Sequence, residues 1–283
     1  VTAIWLLSTK GRPEQCQEVL DACTDTGMTS AGIVYIDEDT GQYDNLRLPD
    51  NWTVHREPAW GSLQASMSWC YQQYPDASQF GWLADDTYPR TPAWDVQLED
   101  AAGDWCLSYA NDLWLSQQNT NAVVSGDDLT SGLCWGGELV RTVGWWALPG
   151  VRQAGIDTAW VSICSSLGLL RYRQHLVVEH KNWRTGKRDR DDIDDWSRNG
   201  DSYIERDIAI RNAWCASEDY RATLERVRRL ARVEPSPEIL ERQRRNIRDA
   251  KVSLLWNPTS SAARLAAIIE QVNNELAEVF DEG

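Results

Sequence analysis

The sequence predicts an α/β protein, built on a mainly parallel sheet with helices on both faces and extended at its C-terminus by charged helices. Three observations predict it. Short apolar runs alternate with helical segments through the body of the chain; those runs end in polar, glycine-bearing or acidic stretches; and beyond about Ser217 the pattern changes to charged helices. At 283 residues the chain suits one large domain, expected over 1–216, with a helical extension over 217–283.

Ala3-Ile4-Trp5-Leu6-Leu7-Ser8 is an apolar run that stops at Lys10-Gly11-Arg12, and Pro13 then stands where a first helical turn tolerates proline. The helix, with Val19, Leu20 and Cys23 on one face, is expected to reach Gly27. Ala31-Gly32-Ile33-Val34-Tyr35-Ile36 is the second strand, ending at Asp37-Glu38-Asp39. A short strand over Trp52–Arg56 leads through Gly61-Ser62 to a helix ending near Tyr74, and Phe80-Gly81-Trp82-Leu83-Ala84 follows, ending at Asp85-Asp86. Further strands are expected over Trp105–Ala110 and Leu133–Leu139, a helix over Asp157–Leu167, and a strand over Leu176–His180. Residues 181–200 read as a long charged loop. In the last helix Leu265, Ile268, Ile269, Val272, Leu276 and Val279 form one apolar stripe, which either packs on the body or makes a dimer seam.

Composition narrows the function classes. No run of about 18 apolar residues predicts a bilayer span, and nothing at the start resembles a signal peptide, so no membrane insertion and a cytoplasmic location are expected. Seven scattered cysteines, an odd number without a C-x-x-C pair, read as reduced thiols. The net charge of −15 is uneven: residues 1–220 hold 17 basic against 33 acidic side chains, whereas 221–283 hold 11 against 10. An acidic body argues against broad binding of a phosphate backbone. Sixteen tryptophans against two phenylalanines read mainly as core residues in place of Phe.

In an open α/β sheet, ligands sit beyond the carboxyl ends of the strands, which directs attention to Ser8–Arg12, Asp37 and Asp85-Asp86. Paired carboxylates at a strand end suit a hard divalent cation that neutralises a diphosphate, although a solvated acidic turn looks the same in sequence. The wider segment is more specific. Leu83-Ala84-Asp85-Asp86-Thr87, followed by Pro89-Arg90-Thr91 and Trp94-Asp95, resembles the DxD-type motif of GT-A glycosyltransferases, especially bacterial and phage-encoded members. Ser8-Thr9-Lys10-Gly11-Arg12-Pro13 resembles that family's first nucleotide-binding loop, Asp37 the residue that contacts the base, and Gly61-Ser62 the start of the helix beside the nucleotide sugar. Gly137-Glu138-Leu139-Val140-Arg141 with Gly144, then Asp157-Thr158-Ala159-Trp160, resembles the acceptor side, and Val178-Glu179-His180 resembles the strand whose terminal histidine completes the metal site.

The resemblance runs in order over residues 3–190 and implies a GT-A fold and a hexosyltransferase-like enzyme using a nucleotide-diphosphate sugar, UDP-sugar foremost, with Mn²⁺ or Mg²⁺. Ala84 replaces an acidic residue found in some members, so the implied metal shell rests on Asp86 and His180, with Asp85 either joining them or holding the ribose. Lys181, Arg184 and Lys187, with Arg188 and Arg190, form either a basic loop that closes over the diphosphate or a solvated linker. Asp157 is either the base that takes the acceptor proton or a helix N-cap. Trp135, Trp145 and Trp146, near Gly137 and Glu138, either stack on an acceptor or fill the core. Asp127-Asp128, in a glycine-bounded polar stretch, reads as loop.

Two acceptors fit: a cell-surface glycan or protein, or DNA with hydroxymethylated pyrimidines, as resembling phage enzymes modify. Nine arginines against four glutamates in 221–248 favour DNA, and the acidic body opposes it. A nucleotide- or glycan-binding module without turnover, or a nucleotidyltransferase, are the competing readings.

Overall fold

The structure, a computed structural model, describes residues 2–38, 41–58, 61–113, 132–183, 186–192, 201–234 and 237. The first strands form where the apolar runs predict them: β1 (Ile4–Thr9), β2 (Ala31–Ile36), β3 (Trp52–Arg56) and β4 (Gln79–Ala84). Between them run α1 (Pro13–Asp25), opened by Pro13, and α2 (Leu63–Gln73), capped by Ser62, whose hydroxyl accepts from the Ala65 amide at 3.0 Å. The chain continues through β5 (Thr87–Pro89), α3 (Trp94–Ala102), β6 (Leu107–Asn111), β7 (Leu133–Gly136), α4 (Gly137–Val143), α5 (Ile156–Leu167), β8 (Leu170–His180), α6 (Asp201–Ala216) and α7 (Glu218–Leu230).

The eight strands lie in the order β3-β2-β1-β4-β7-β6-β8-β5. β3, β2, β1 and β4 are mutually parallel, as are β6 and β8; β7 runs antiparallel to β4 and β6, and β5 antiparallel to β8. The chain builds outward from β1 to β3, then returns to place β4 on the other side of β1. The crevice beyond Thr9 and Ala84 is therefore a topological switch point, where such sheets bind ligands.

Helices cover both faces. One core joins Val19, Leu20 and Cys23 of α1 to Trp94 and Leu98 of α3 across Trp5, Leu7 and Leu83. The other collects Met67 and Cys70 of α2, Leu139 and Val140 of α4, Trp160 and Ile163 of α5, Trp214 of α6, and Tyr220, Leu224 and Val227 of α7. Glycine makes room for indole in the sheet: a Cβ on Gly81 would lie 2.1 Å from the Trp5 ring. The seven cysteines are free, and all but Cys106 are buried.

Two boundaries differ most from expectation. The strand expected over Leu133–Leu139 ends at Gly136, because the Gly137 amide donates to Ser78 O at 2.8 Å and the backbone turns there into α4. A Cβ on Gly137 would sit 2.3 Å from Ala77 O, so only glycine permits this approach. β8 begins at Leu170, ahead of the expected Leu176, because its first residues pair with β6 from Leu107 onward. No helix among the described residues is long and apolar enough to cross a membrane. The apolar stripe Leu265–Val279, Asp127-Asp128 and Arg184 lie outside the described residues.

Candidate functional site

Asp85 and Asp86 follow β4 directly, in the turn before β5, and both are buried. Thr87 Oγ1 closes this turn by donating to Ala84 O at 2.7 Å, with the Ala84 amide returning to the hydroxyl at 3.0 Å. The antiparallel pairing of β5 with β8 sets Thr87 opposite His180, which delivers the imidazole to the aspartate pair from far along the chain. His180 Nε2 lies 3.2 Å from Asp86 Oδ2, and the Lys181 amide donates to Asp86 O at 2.8 Å.

The loop after β1 closes the site from the other side. Thr9 Oγ1 donates to Asp85 Oδ2 at 2.9 Å, and Arg12 Nη1 donates to Asp85 Oδ1 at 3.1 Å. Tyr43, which carries no periodic signal in the sequence, braces the loop: its hydroxyl meets Thr9 Oγ1 and accepts from the Arg12 amide, each at 2.9 Å. Gly11 takes φ +64° there, a conformation suited to glycine.

Residues 186–192 fold back over this pair. Asp191 accepts both Arg12 Nε and Nη2 at 2.8 Å, a bidentate grip, while Arg188 lies 3.6 Å from Asp86 Oδ2 and from Asp191 Oδ2. Lys187 turns away, reaching Leu113 O at 3.3 Å and Glu179 at 3.1 Å. Lys181 Nζ sits 3.8 Å over the Tyr88 ring and 3.5 Å from Glu18, tying the end of β8 to α1.

The two carboxylates differ in character. Burial drives the Asp85 carboxyl above its ordinary range, and the Asp86 charge adds to it against the pull of Arg12. Burial acts on Asp86 in the same direction, but the hydrogen bond and charge of His180, with Arg12 and Arg188, outweigh it and hold Asp86 below the usual range. Asp86 is thus the acidic member, the form a cation needs.

Among the described residues no three His, Cys, Asp or Glu side chains converge on one point, so Asp85, Asp86 and His180 do not form a closed cage. Asp86 and His180 fit a cation as two adjacent ligands: bonds of about 2.1 Å at right angles separate neighbours by about 3 Å, close to the 3.2 Å seen. Asp85 is instead committed to Thr9 and Arg12. A hard divalent ion held by one or two protein groups leaves its other positions to water and substrate oxygens.

Asp37, at the tip of β2, accepts from the Gly61 amide at 2.6 Å, joining the second strand to the entrance of α2. Burial raises its carboxyl, against the Gly61 hydrogen bond and the Lys10 charge. Lys10 itself pairs with Glu38. Ser8 lies at the foot of α2, meeting Ser66 Oγ at 3.3 Å and accepting from Trp82 Nε1 at 3.2 Å. Ser8, Thr9, Lys10, Gly11, Arg12, Asp37, Gly61, Ser62, Asp85, Asp86 and His180 accordingly belong to one end of the sheet.

Five expected acceptor residues are elsewhere. β7 is antiparallel to β4 and pairs Gly136 with Gln79, so Gly137 and Glu138 lie at the opposite end of β4 from Asp85. Glu138 is exposed and pairs with Arg141 at 3.0 Å. Trp135, Trp145 and Trp146 are buried in the second core, Trp135 ring to ring with Trp146, and Trp145 with Trp160 and Trp214. Asp157 occupies the first turn of α5 behind Gly155, the actual N-cap, and accepts from the Thr158 amide at 2.8 Å; the capping role falls to the glycine.

No protein-family model and no curated protein matches the sequence. Solved structures do match in fold. Glucosyl-3-phosphoglycerate synthase from Mycobacterium tuberculosis, in complex with Mn²⁺, UDP and glucosyl-3-phosphoglycerate, superimposes with a TM-score of 0.50 at 13% identity, over 74% of this chain and 77% of that one. The same enzyme with Mn²⁺, UDP and phosphoglyceric acid gives 0.50 at 12% identity, over 79% and 78%. GalNAc-T7 with UDP, GalNAc and Mn²⁺ gives 0.50 at 9% identity, over 64% of this chain and 44% of that one.

The chain has the GT-A fold. At these identities the likeness is one of architecture alone.

Proposed function

We propose that this protein is a metal-dependent glycosyltransferase that takes a sugar from a UDP-sugar. The observation that carries this reading is the convergence of Asp86 and His180, 3.2 Å apart at the switch point, beside the buried guanidinium of Arg12. The neighbours in fold, crystallised with UDP and Mn²⁺ or Mg²⁺, support it.

Asp86 and His180 would hold Mn²⁺ or Mg²⁺, which when bound offsets the negative charge of the diphosphate. Arg12 and Arg188 supply further positive charge at the same place, the diphosphate taking the position Asp191 holds against them. Thr9 and Arg12 keep Asp85 oriented toward the donor ribose. Asp37, with Gly61, receives the base, Ser62 sets the helix beside the donor, and Lys181 and Lys187 flank the closing segment. In the transfer step the acceptor oxygen forms a bond to the anomeric carbon as the bond from that carbon to the diphosphate oxygen breaks. The bonding pair leaves with UDP, and Asp157 takes the acceptor proton.

For the acceptor, hydroxymethylated DNA remains the reading drawn from the sequence, alongside a glycan or protein. Of the described arginines of α7, Arg221 and Arg228 pair with Glu218 and Glu225 of their own helix, which reduces the charge offered to phosphates. The test is release of UDP from UDP-glucose with Mn²⁺, for the natural protein and Asp86→Ala, with hydroxymethylated DNA or a glycan added in separate arms. Release that needs metal and falls about 100-fold or more in the variant is expected. Binding of UDP without any release, from this or other UDP-sugars, would instead favour a binding module.

A further inference from the structure

The segment between α4 and α5 lies against the donor end of the sheet. Arg152 O accepts from the Gln64 amide at 3.0 Å, which places this loop at the first turn of α2, next to Gly61 and Asp37. The loop turns at Gly150 and Gly155, with φ of +83° and +85°, and runs directly into Asp157. Its other side is held by α6, a helix outside the sheet that the transfer step above does not use.

Asp207 of α6 is fully buried, a costly place for a carboxylate unless its oxygens are satisfied. One oxygen, Oδ2, accepts three consecutive loop amides, Arg152 and Gln153 at 2.9 Å and Ala154 at 3.1 Å. Successive N–H groups converging in this way form an anion-binding nest, here filled by the chain's own side chain. The neighbouring Arg206 completes the clamp: its Nη1 donates to Gly150 O at 2.9 Å and lies 3.6 Å from Asp207 Oδ1. On the same helix Arg211 packs against Gly155, where an added Cβ would meet its Cβ at 3.3 Å. Three side chains on one face of α6 thus grip both ends and the middle of the loop.

We infer that Asp207 is a positioning residue for the transfer reaction: by holding loop 150–155 against α2 it fixes where Asp157 presents its carboxylate to the acceptor hydroxyl. This rests on the glycosyltransferase reading. It makes α6 part of the working site, and it gives the buried carboxylate a purpose beyond filling the core.

The test is a double-mutant cycle read on Mn²⁺-dependent release of UDP from UDP-glucose, water serving as acceptor. The variants are Asp207→Asn, Asp157→Asn and both together, with UDP affinity measured by calorimetry and amide exchange followed over 150–158. Asp207→Asn keeps the volume but replaces the charged acceptor with a weaker one. Misplacement of a reacting group by about 1 Å can cost on the order of 100-fold, so a tenfold to 100-fold fall in kcat is expected, with KM for the donor and affinity for UDP unchanged within about twofold. Exchange of the 152–154 amides should quicken. In the Asp157→Asn background the second substitution should cost less than about twofold, because the group it positions is already gone. Equal losses in both backgrounds, or a parallel fall in UDP affinity, would reduce Asp207 to a structural residue. Should Asp207→Asn fail to fold, Arg206→Gln, which loosens the same clamp at Gly150, is read in its place with the same criteria. A natural protein that neither binds UDP nor releases it overturns the glycosyltransferase reading itself, whereas an active one indifferent to Asp207 overturns only this inference.

Discussion

Asp86 owes its acidity to its neighbours: burial pushes its carboxyl up, and His180, Arg12 and Arg188 outweigh it. Under the proposed metal site, His180→Ala should weaken Mn²⁺ binding about tenfold or more, because it removes one of the two ligands, measured by titration of the metal's electron paramagnetic signal. Glu99 shows the opposite balance. It accepts from Trp5 Nε1 at 2.7 Å and Ser30 Oγ at 2.5 Å, yet burial, joined by the Asp95 charge, keeps its carboxyl above the ordinary value. The folded state then binds this proton more tightly than the unfolded one, so its contribution is fully present at pH below the ordinary glutamate value and is lost as pH rises through the raised folded value. Glu99→Gln should remove that loss and raise Tm at neutral pH by roughly 1–2 °C, leaving the acidic end of the profile unchanged, as a thermal melt series from pH 4 to 8 would record. Packing is as local. Gly81→Ala would press a methyl group into the Trp5 ring, itself held 4.5 Å from Trp94, and should cost about 1–3 kcal/mol in denaturant unfolding.

At the scale of elements, the site is made by pairing. β5 is three residues long and would have little standing alone, yet its register with β8 is what puts His180 beside Asp86. Asp191, in the segment 186–192, holds Arg12 through two hydrogen bonds, in the position proposed for the diphosphate. Asp191→Asn should tighten UDP binding about fivefold, equivalent to about 1 kcal/mol, by calorimetry; unchanged or weaker binding would mean that Asp191 does not stand in the diphosphate's place. Helices act through single contacts as well. Ser62 caps α2, and the α2 entrance then meets both Asp37 and Arg152. Alternation of apolar runs and helical stretches was readable from contiguous residues, which is why β1 to β4 and α1 to α2 stand where the sequence put them. The end of β7 was not, because Leu139 continues the apolar run while Gly137 is turned by Ala77 and Ser78, residues remote in sequence.

Over the whole molecule, α7 belongs to the second core rather than standing apart from it. Tyr220 is fully buried, and its hydroxyl meets Ser162 Oγ at 2.9 Å and Ser166 Oγ at 3.1 Å across the helix interface. Tyr220→Ala should cost about 3–5 kcal/mol in chemical denaturation, whereas Tyr220→Phe, losing only the hydroxyl, should cost about 1–2 kcal/mol. A smaller loss from Tyr220→Ala than from Tyr220→Phe would contradict the packing of α7 on α5.

The sequence by itself determined the α/β class, the strand tips and the acidic pair that follows β4, because propensity, periodicity and turn chemistry are properties of neighbouring residues. It also placed Ser8–Arg12 and Asp85-Asp86, which lie at the ends of their own strands. Only the tertiary structure decided which strand lies beside which. Antiparallel β7 carried Gly137 and Glu138 to the far end of β4, and the second core absorbed Trp135, Trp145 and Trp146. The same non-local packing set Tyr43 and Asp191 against Arg12 and buried Asp207 under the loop that leads to Asp157. Such partners share no spacing in the chain, because a buried charge is matched by whatever the fold brings within hydrogen-bonding reach.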